Sequence, residues 1–169
     1  AVAVNRAIRD IAGVPCGIKW PNDIMCKGRK LVGILTEMSA EMDAINHVVI
    51  GMGVNVNISG EDFPPELREI ATSLLLETGK PVRRLELFIR ILERLEELYL
   101  EVLRSGFAVV LDAWRQESIT LGQQVQVIGT DKSFLGQAID IDSDGALLVS
   151  TESGVERVLA GDVSIRPAS

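Results

Sequence analysis

The chain has 169 residues, of which 47% are hydrophobic and 24% charged, a composition typical of globular domains and too apolar for a disordered chain. Its net charge of −7 argues against nucleic acid or an anionic membrane as a partner, because both are polyanions. The charge is uneven, since residues 1–30 contain six basic and two acidic side chains. This basic segment favours a small anionic ligand.

The N-terminal third predicts one helix followed by strands. Residues 2–12 carry apolar side chains at helical spacing, and Gly13 and Pro15 end this predicted helix. Four apolar runs then predict strands, the last two forming an antiparallel hairpin with a long loop over 39–46. The runs are 17–20, 24–26, 30–38 and 47–58.

The middle of the chain predicts a loop and two longer helices. Residues 59–81 contain three prolines and two glycines, which predicts a loop followed by one or two helical turns. Residues 83–105 show the strongest helical periodicity, and a second helix is predicted at 107–117. The first of these helices carries one apolar stripe, while its charged side chains are predicted to face water. The stripe consists of Leu85, Phe88, Ile89, Leu92, Leu95, Tyr99 and Val102.

The pattern changes after Ser118, where five short apolar runs separated by turn residues replace the helical spacing. Five short strands in about fifty residues predict a small, strongly bent antiparallel barrel. The runs are 124–129, 134–141, 146–150, 155–159 and 163–166. We therefore predict two domains, 1–118 and 119–169.

A first candidate motif is Lys-Trp-Pro-Asn-Asp at 19–23. Proline fixes the backbone just after a predicted strand, so Lys19 and Asn22 leave the strand end in fixed directions. A lysine beside an amide and the carboxylate of Asp23 is able to bind and orient an anionic oxygen. A strand end with an aromatic core residue and a hydrogen-bonded turn explains the same residues without a ligand.

Three cations surround the glycine turn that precedes the third predicted strand. Lys27, Arg29 and Lys30 would suit a phosphate-bearing ligand, although such a charge run is also typical of a solvated turn. Gly33 is more informative, because a glycine inside a strand marks a bulge or the close approach of a ligand.

Residues 51–58 alternate small or amide residues with larger apolar ones. Strand alternation puts Gly51, Gly53, Asn55 and Asn57 on one face and apolar side chains on the other. The apolar face predicts core, and the opposite face predicts a flat floor with amides at one end, suited to a planar ligand. The alternative is that the glycines make room for a bulky neighbouring side chain.

The remaining reactive side chains indicate neither covalent catalysis nor a resident metal. His47, the single histidine, has no nucleophile and carboxylate placed to complete a triad. Cys16 and Cys26 have no partner at metal-ligand spacing, which indicates reduced thiols of a cytoplasmic protein. The apolar start of the chain also lacks the basic segment and cleavage site of a signal peptide.

Three motifs, in order and with matching gaps, resemble the biotin protein ligase family. They are Lys-Trp-Pro-Asn-Asp at 19–23, Arg-Lys-Leu-Val-Gly-Ile-Leu-Thr-Glu at 29–37 and Val-Ile-Gly-Met-Gly-Val-Asn-Val-Asn at 49–57. The resemblance implies an α+β fold with part of the mixed sheet of class II aminoacyl-tRNA synthetases and biotin–lipoate ligases. A small SH3-like β-barrel is expected to follow this sheet.

The resemblance also implies a reaction. The family makes biotinyl-5′-AMP from biotin and Mg·ATP, then transfers biotin to one lysine of a biotin carboxyl carrier protein. Biotin and ATP are therefore the implied substrates, Mg²⁺ the implied ion, and the carrier protein the implied partner. A cytoplasmic enzyme without a nucleic-acid or membrane partner is expected, and a homodimer is left open.

Each residue's role follows from the family's pattern. The implied catalytic residues are Lys30, which matches the lysine that contacts the biotin carboxylate and α-phosphate, and Lys19. The other implied positions are Gly33, Thr36, Gly51 and Gly53 along the biotin floor, Asn22 and Asp23 on the phosphate side, and Asn55 at the adenine. No firm metal ligand is expected, and Asp23 is the candidate for an indirect contact to Mg²⁺.

The family's glycine- and arginine-rich loop, which closes over biotin, would lie N-terminal to residue 1. We therefore expect a fragment of a ligase, with the activity of the chain alone left open. One alternative is a non-catalytic ligase-like module for dimerisation or carrier docking. Another is a lipoate-type ligase of the related fold, for which the barrel and the Gly-x-Gly-x-Asn strand are less expected.

Overall fold

The computed structural model describes residues 1–41, 44–129, 133–160 and 164–167. Helices and two sheets occur together, which confirms the predicted α+β class. The elements are α1 (Val2–Ala12), β1 (Cys16–Lys19), β2 (Asp23–Cys26), β3 (Arg29–Glu41), β4 (Ala44–Val54), a 3₁₀ helix (Pro65–Leu67), α2 (Leu74–Thr78), α3 (Arg84–Ser105), α4 (Ala108–Glu117), β5 (Gln124–Ile128), β6 (Ser133–Ile141), β7 (Leu147–Thr151), β8 (Gly154–Val158) and β9 (Ser164–Pro167).

The chain divides into two compact units. The first unit consists mainly of Ala3–Cys16 and Asn22–Arg94, and the second mainly of Gly17–Pro21 and Leu95–Ser169. The predicted domain boundary at 118/119 stays a prediction. No helix in the described ranges is long and apolar enough to cross a membrane.

The first unit is built around strands β2, β3 and β4, which pair antiparallel in that order. Apolar residues at helical spacing on α1 bury Ile8 against Ile24, Leu31 and Val32 of the sheet and Leu74 of α2, all with no exposed surface. Each such side chain contributes on the order of 1.5–3 kcal/mol by leaving water. The helix ends at Gly13, whose φ of 65° is the left-handed conformation that glycine adopts without strain.

The predicted hairpin is antiparallel, but the long loop expected over 39–46 is wrong. Pairing of β3 with β4 runs without a register break from Val32 to Ser39 and continues to the pair Glu41 and Ala44. Residues 42–43 lie outside the described residues.

The second strand of the hairpin ends earlier than predicted, at Val54 rather than residue 58. The backbone oxygens of Asn55 and Val56 instead accept hydrogen bonds from Leu74 and Leu75 at the start of α2, at 2.9 and 2.8 Å. Asn55 still donates its N–H to the Leu31 carbonyl of β3 at 3.1 Å, while the carbonyls of residues 55–56 anchor the next helix.

The face of α3 that packs on the first unit is not the predicted stripe. Leu87 and Ile91 are buried in its core, whereas Leu85 and Phe88 of the stripe are 69% and 52% exposed. The helix carries apolar residues on two faces, and periodicity alone does not say which face is covered. Arg94 of α3 donates from Nε to Asp10 of α1 at 2.7 Å, which joins the two helices at the surface of the first unit.

The second unit contains a five-stranded antiparallel sheet in the order β8-β7-β6-β5-β9, as the five apolar runs predicted. Burial alternates along β5, where Val125 and Val127 are buried and their neighbours exposed. Trp20, predicted as an aromatic core residue, is buried here and donates from Nε1 to the Gly145 carbonyl at 3.0 Å. The predicted turns at 129–131 and 161–162 lie largely outside the described residues.

Candidate ligand-binding cleft

A cleft of about 240 Å³ opens on the glycine face of the β3–β4 hairpin in the first unit. Four of the residues predicted from sequence line it together, and four others complete its wall. The lining residues are Lys30, Gly33, Gly53 and Asn55, with Phe63, Leu67, Ile70 and Ala71. The cleft is therefore largely apolar, with a lysine and an amide at its polar positions.

The floor of the cleft is a pair of strand glycines. Gly33 and Gly53 are cross-strand partners, and Gly51 is the partner of Leu35 on the same face. A Cβ added at Gly51 or Gly53 would come no closer than 3.7 Å to any neighbour, a carbonyl oxygen of the paired strand. The absent side chains thus leave open surface, and no bulky protein group fills the space.

Thr36 does not lie on this floor, contrary to its expected role. It is the cross-strand partner of Ile50, and the register is regular from Gly33 to Thr36, so the two residues point to opposite faces. Leu35 lies two residues after Gly33 in the strand, so it is on the glycine face, and it is 62% exposed. Counting alternation from Gly33 in the sequence would have selected Leu35.

Lys30 is fixed at both its backbone and its side chain. Its N–H donates to the Ile70 carbonyl at 2.8 Å, and its carbonyl accepts from the Thr72 N–H at 2.9 Å. Its ammonium lies 2.7 Å from Asp23 Oδ1, and the Lys30 side chain is 47% exposed. An ion pair this exposed is weak enough for an anionic ligand to replace the carboxylate.

Gly33 has a second neighbour besides the cleft. A Cβ at this position would lie 3.1 Å from Cε and 3.2 Å from Nζ of Lys30. The glycine therefore lets the lysine side chain cross the strand to reach Asp23.

The other two cations of the turn do not face the cleft as free charges. Lys27 Nζ and Arg29 Nη2 lie 2.9 and 2.8 Å from the carboxylate of Glu77, which is 1% exposed. The hydrogen bond to Glu77 raises the pKa of Lys27 above its ordinary value. The expectation that all three cations would serve a phosphate is therefore corrected, because two of them are engaged by a buried carboxylate.

The remaining predicted residues have differing surroundings. Asn22 donates from Nδ2 to the Ile34 carbonyl at 2.6 Å, which ties the turn at 22–23 to β3. Lys19 is half-buried at the end of β1 and belongs to the second unit. Asn57 does not reach the floor, because its amide binds the backbone N–H and carbonyl of Val82, each at 2.9 Å.

The apolar wall of the cleft was missed by sequence reasoning. It comes from the segment 59–71, which was predicted only as a loop. Phe63 is buried, and Arg68 holds its carbonyl through Nε at 3.0 Å. The spacing of Phe63, Leu67 and Ile70 in an otherwise polar segment is the signal that marks this wall.

Known proteins resemble both ends of the chain. Residues 1–55 match the model of the biotin/lipoate A/B protein ligase family. Residues 120–166 match that of the biotin protein ligase C terminal domain, in agreement with the SH3-like barrel predicted there.

Similar proteins extend the likeness over nearly the whole chain. The bifunctional ligase/repressor BirA of Bacillus spizizenii is 39% identical over 98% of this chain and 51% of its own length. The biotin–[acetyl-CoA-carboxylase] ligase of Paracoccus denitrificans is 30% identical over 93% of this chain and 68% of its own. The crystallised biotin protein ligase of Aquifex aeolicus with biotin and ATP superimposes with a TM-score of 0.84 at 28% identity, covering 99% of this chain and 68% of that one. The chain spans about half the length of the Bacillus relative.

Proposed function

This chain belongs to the biotin protein ligase family, and on that premise we propose that its cleft binds biotin for ATP-dependent activation. The observation that carries the proposal is Lys30, whose ammonium lies at the rim of a cleft with a glycine floor and an apolar wall. Biotin combines a flat bicycle, an apolar chain and a carboxylate, and these three features complement that arrangement.

Activation joins two anions, which is the difficulty the site has to overcome. An oxygen of the biotin carboxylate attacks the α-phosphorus of ATP, the new C(O)O–P bond forms, and the bond to pyrophosphate breaks. Lys30 exchanges Asp23 for the incoming anion and neutralises charge as it develops on the phosphate. No covalent enzyme intermediate is required, so the residues act by holding the reactants in line.

We assign the remaining predicted residues to ATP. Asn55, which lines the cleft, is proposed to read the adenine, and Asn22 and Asp23 of the same unit to face the phosphates. The catalytic role that the family resemblance implies for Lys19 stays a prediction. No group of three or more His, Cys, Asp or Glu side chains is placed to hold a metal ion in the described ranges. An accompanying Mg²⁺ would be held by the phosphates and would withdraw charge from them, with Asp23 as the candidate for an indirect contact.

The second step transfers biotin to a carrier protein. The amine of a carrier lysine attacks the carbonyl of biotinyl-AMP, an amide forms and AMP leaves. The Paracoccus relative is named for acetyl-CoA carboxylase, so the carrier domain of a biotin-dependent carboxylase is the proposed acceptor. A homodimer through the sheet also stays a proposal, for which the position of β4 at the end of the strand order is the motive.

Calorimetric titration with biotin, alone and with ATP, tests the proposal. Biotin is expected to bind the wild-type chain, and Lys30→Ala to weaken ATP-dependent binding at least tenfold by removing the fixed charge. Lys80→Ala removes an exposed lysine elsewhere and is the matched control. Absence of biotin binding to the folded wild-type chain, or equal losses in both variants, would contradict the role of this cleft.

A further inference from the structure

Glu77 carries a buried carboxylate, 1% exposed, that neither the sequence motifs nor the proposed reaction employs. It lies on α2 and accepts a hydrogen bond from Thr72 Oγ1 at 2.7 Å and one from Arg29 Nη2 at 2.8 Å. Lys27 Nζ lies 2.9 Å from its other oxygen. Glu77 therefore connects the turn at 27–29 with the strand-like segment at 71–72.

Burial raises the pKa of Glu77, but hydrogen bonds from Thr72, Lys27 and Cys26 outweigh it and lower the pKa to about 2. The carboxylate is thus charged at any pH at which the protein is expected to work. Its contact with Arg29 joins residues that are 48 apart in sequence. A permanent connection of this kind is suited to holding a backbone in place.

Lys30 lies between the two segments that Glu77 connects. Arg29 is its chain neighbour, and Thr72, whose hydroxyl binds Glu77, donates its own N–H to the Lys30 carbonyl at 2.9 Å. The Lys30 N–H is held by Ile70 in the same segment. Displacing either segment therefore displaces the backbone from which the Lys30 side chain reaches the cleft.

We propose that Glu77 is a positioning residue for Lys30: by joining the turn at 27–29 to Thr72, it fixes the lysine backbone so that the ammonium reaches the cleft. The catalytic consequence rests on the proposed function, whereas the fixing of Lys30 does not. Glu77 itself does not line the cleft, so it acts through Lys30 and through Ile70 and Ala71 of the wall.

Amide hydrogen exchange in Glu77→Gln, followed by NMR on the full chain, tests the positioning without any ligand. The Lys30 and Thr72 amides are expected to exchange at least tenfold faster, while amides of β6 and β7 keep their wild-type rates. Glu93→Gln is the matched control, since Glu93 is 50% exposed and pairs with Arg90 at 3.1 Å. Unchanged protection of Lys30 and Thr72 in the folded variant would overturn the proposal.

A kinetic measurement separates positioning from general destabilisation. Glu77→Gln is expected to lower kcat for biotinyl-AMP formation at least tenfold and to change KM for biotin less than threefold, because the glycine floor is untouched. If wild-type protein forms no adenylate, the proposed function fails for this chain, and the exchange data alone decide the role of Glu77. A higher KM for biotin with an unchanged kcat would contradict the positioning of Lys30.

A second variant covers the case in which Glu77→Gln does not fold. Arg29→Gln keeps the buried carboxylate with its Lys27 and Thr72 partners and removes one contact of a half-buried arginine. It is expected to raise the exchange rate of the Lys30 amide at least threefold. If the Lys30 amide of Arg29→Gln exchanged at the wild-type rate, this result would also overturn the proposal.

Discussion

The hairpin β3–β4 and the strand pair β6–β7 use the same two features in opposite ways. Each contains a glycine inside a strand, and each contributes one residue to an arginine–carboxylate pair, Arg29 of β3 with Glu77 and Asp140 of β6 with Arg115. In the first unit the glycine Gly53 faces open space, and the carboxylate of Glu77 is buried. In the second unit the space beside Gly136 is filled, and the carboxylate of Asp140, bound to Arg115, is 45% exposed.

The two units use the space beside a strand glycine in different ways. Filling the space beside Gly136 completes a closed core, so this glycine serves packing and the ion pair beside it is a surface contact. The space beside Gly53 is open, which is the basis of the binding surface proposed there, and the buried carboxylate of Glu77 is proposed to hold the neighbouring backbone. The same residue types therefore have a packing role in one sheet and a proposed binding role in the other.

The largest expected effect is the difference between the carboxylates of Glu77 and Asp140 in their contributions to the free energy of unfolding. The pKa of Glu77 is about 2 against an ordinary value of 4.5, so its ionised form stabilises the fold by about 3 kcal/mol above pH 4.5. This contribution is lost as the pH falls from 4.5 towards 2, because protonation then costs more in the folded state. The groups that face the carboxylate are Lys27, Arg29 and the Cys26 thiol.

Urea unfolding between pH 2.5 and 6 measures the difference in the free energy of unfolding between wild type and Glu77→Gln. This difference is expected to shrink as the pH falls. Asp140→Asn is the counterpart in the second unit. The hydrogen bond from Arg115 also lowers the pKa of Asp140, but the exposed pair is expected to contribute less than about 0.5 kcal/mol and to be screened by salt. If Glu77→Gln and Asp140→Asn lowered the free energy of unfolding by the same amount, the two carboxylates would not differ in the way expected.

Glycine-to-alanine substitutions give the next largest effect. A Cβ at Gly136 would lie 2.5 Å from both the Ser150 carbonyl oxygen and Val149 Cγ1, so the strand has to shift. Overpacking of this kind costs about 2 kcal/mol. Gly53→Ala meets nothing closer than 3.7 Å and is expected to change the free energy of unfolding by less than about 0.5 kcal/mol. Denaturant titration of both variants checks the order.

Sequence patterns predicted these regions to different extents for a physical reason. The strand predicted at 124–129 is found as β5, because the apolar run and the turn residues that bound it are local signals. Lys30, Gly33, Gly53 and Asn55 were also found, because they lie on or beside the strands that carry the motifs.

The errors arise where distant segments decide the outcome. The predicted stripe of α3 is exposed because a second set of apolar residues on the helix, Leu87 and Ile91, is the one that packs in the core with residues distant in sequence. Glu77 was missed because its partners are the turn at 27–29 and Thr72, which no local pattern connects to it. The wall at Phe63 and Ile70 was missed because a loop was not expected to contribute apolar surface.

Filling the floor of the cleft tests the functional half of the comparison. Gly53→Val places two methyl groups where the cleft is open, and is expected to reduce biotin affinity at least tenfold while the protein remains folded. The loss corresponds to about 1.4 kcal/mol. Calorimetry with biotin measures it, and circular dichroism confirms the fold. Undiminished affinity would show that this glycine does not serve a ligand.

The smallest expected effect distinguishes the two faces of β3. Leu35 lies on the glycine face and is 62% exposed, so Leu35→Ala removes apolar surface that a ligand's chain would cover and is expected to weaken biotin binding about three- to tenfold. Thr36→Ala changes the opposite face, where the partner is Ile50, and is expected to leave biotin affinity within twofold of wild type. Both side chains are exposed, so neither change should alter stability by more than about 0.5 kcal/mol, and affinity alone separates them. A larger loss from Thr36→Ala than from Leu35→Ala would restore the role that the family pattern implied for Thr36 and would mean that the ligand approaches the hairpin from its other face.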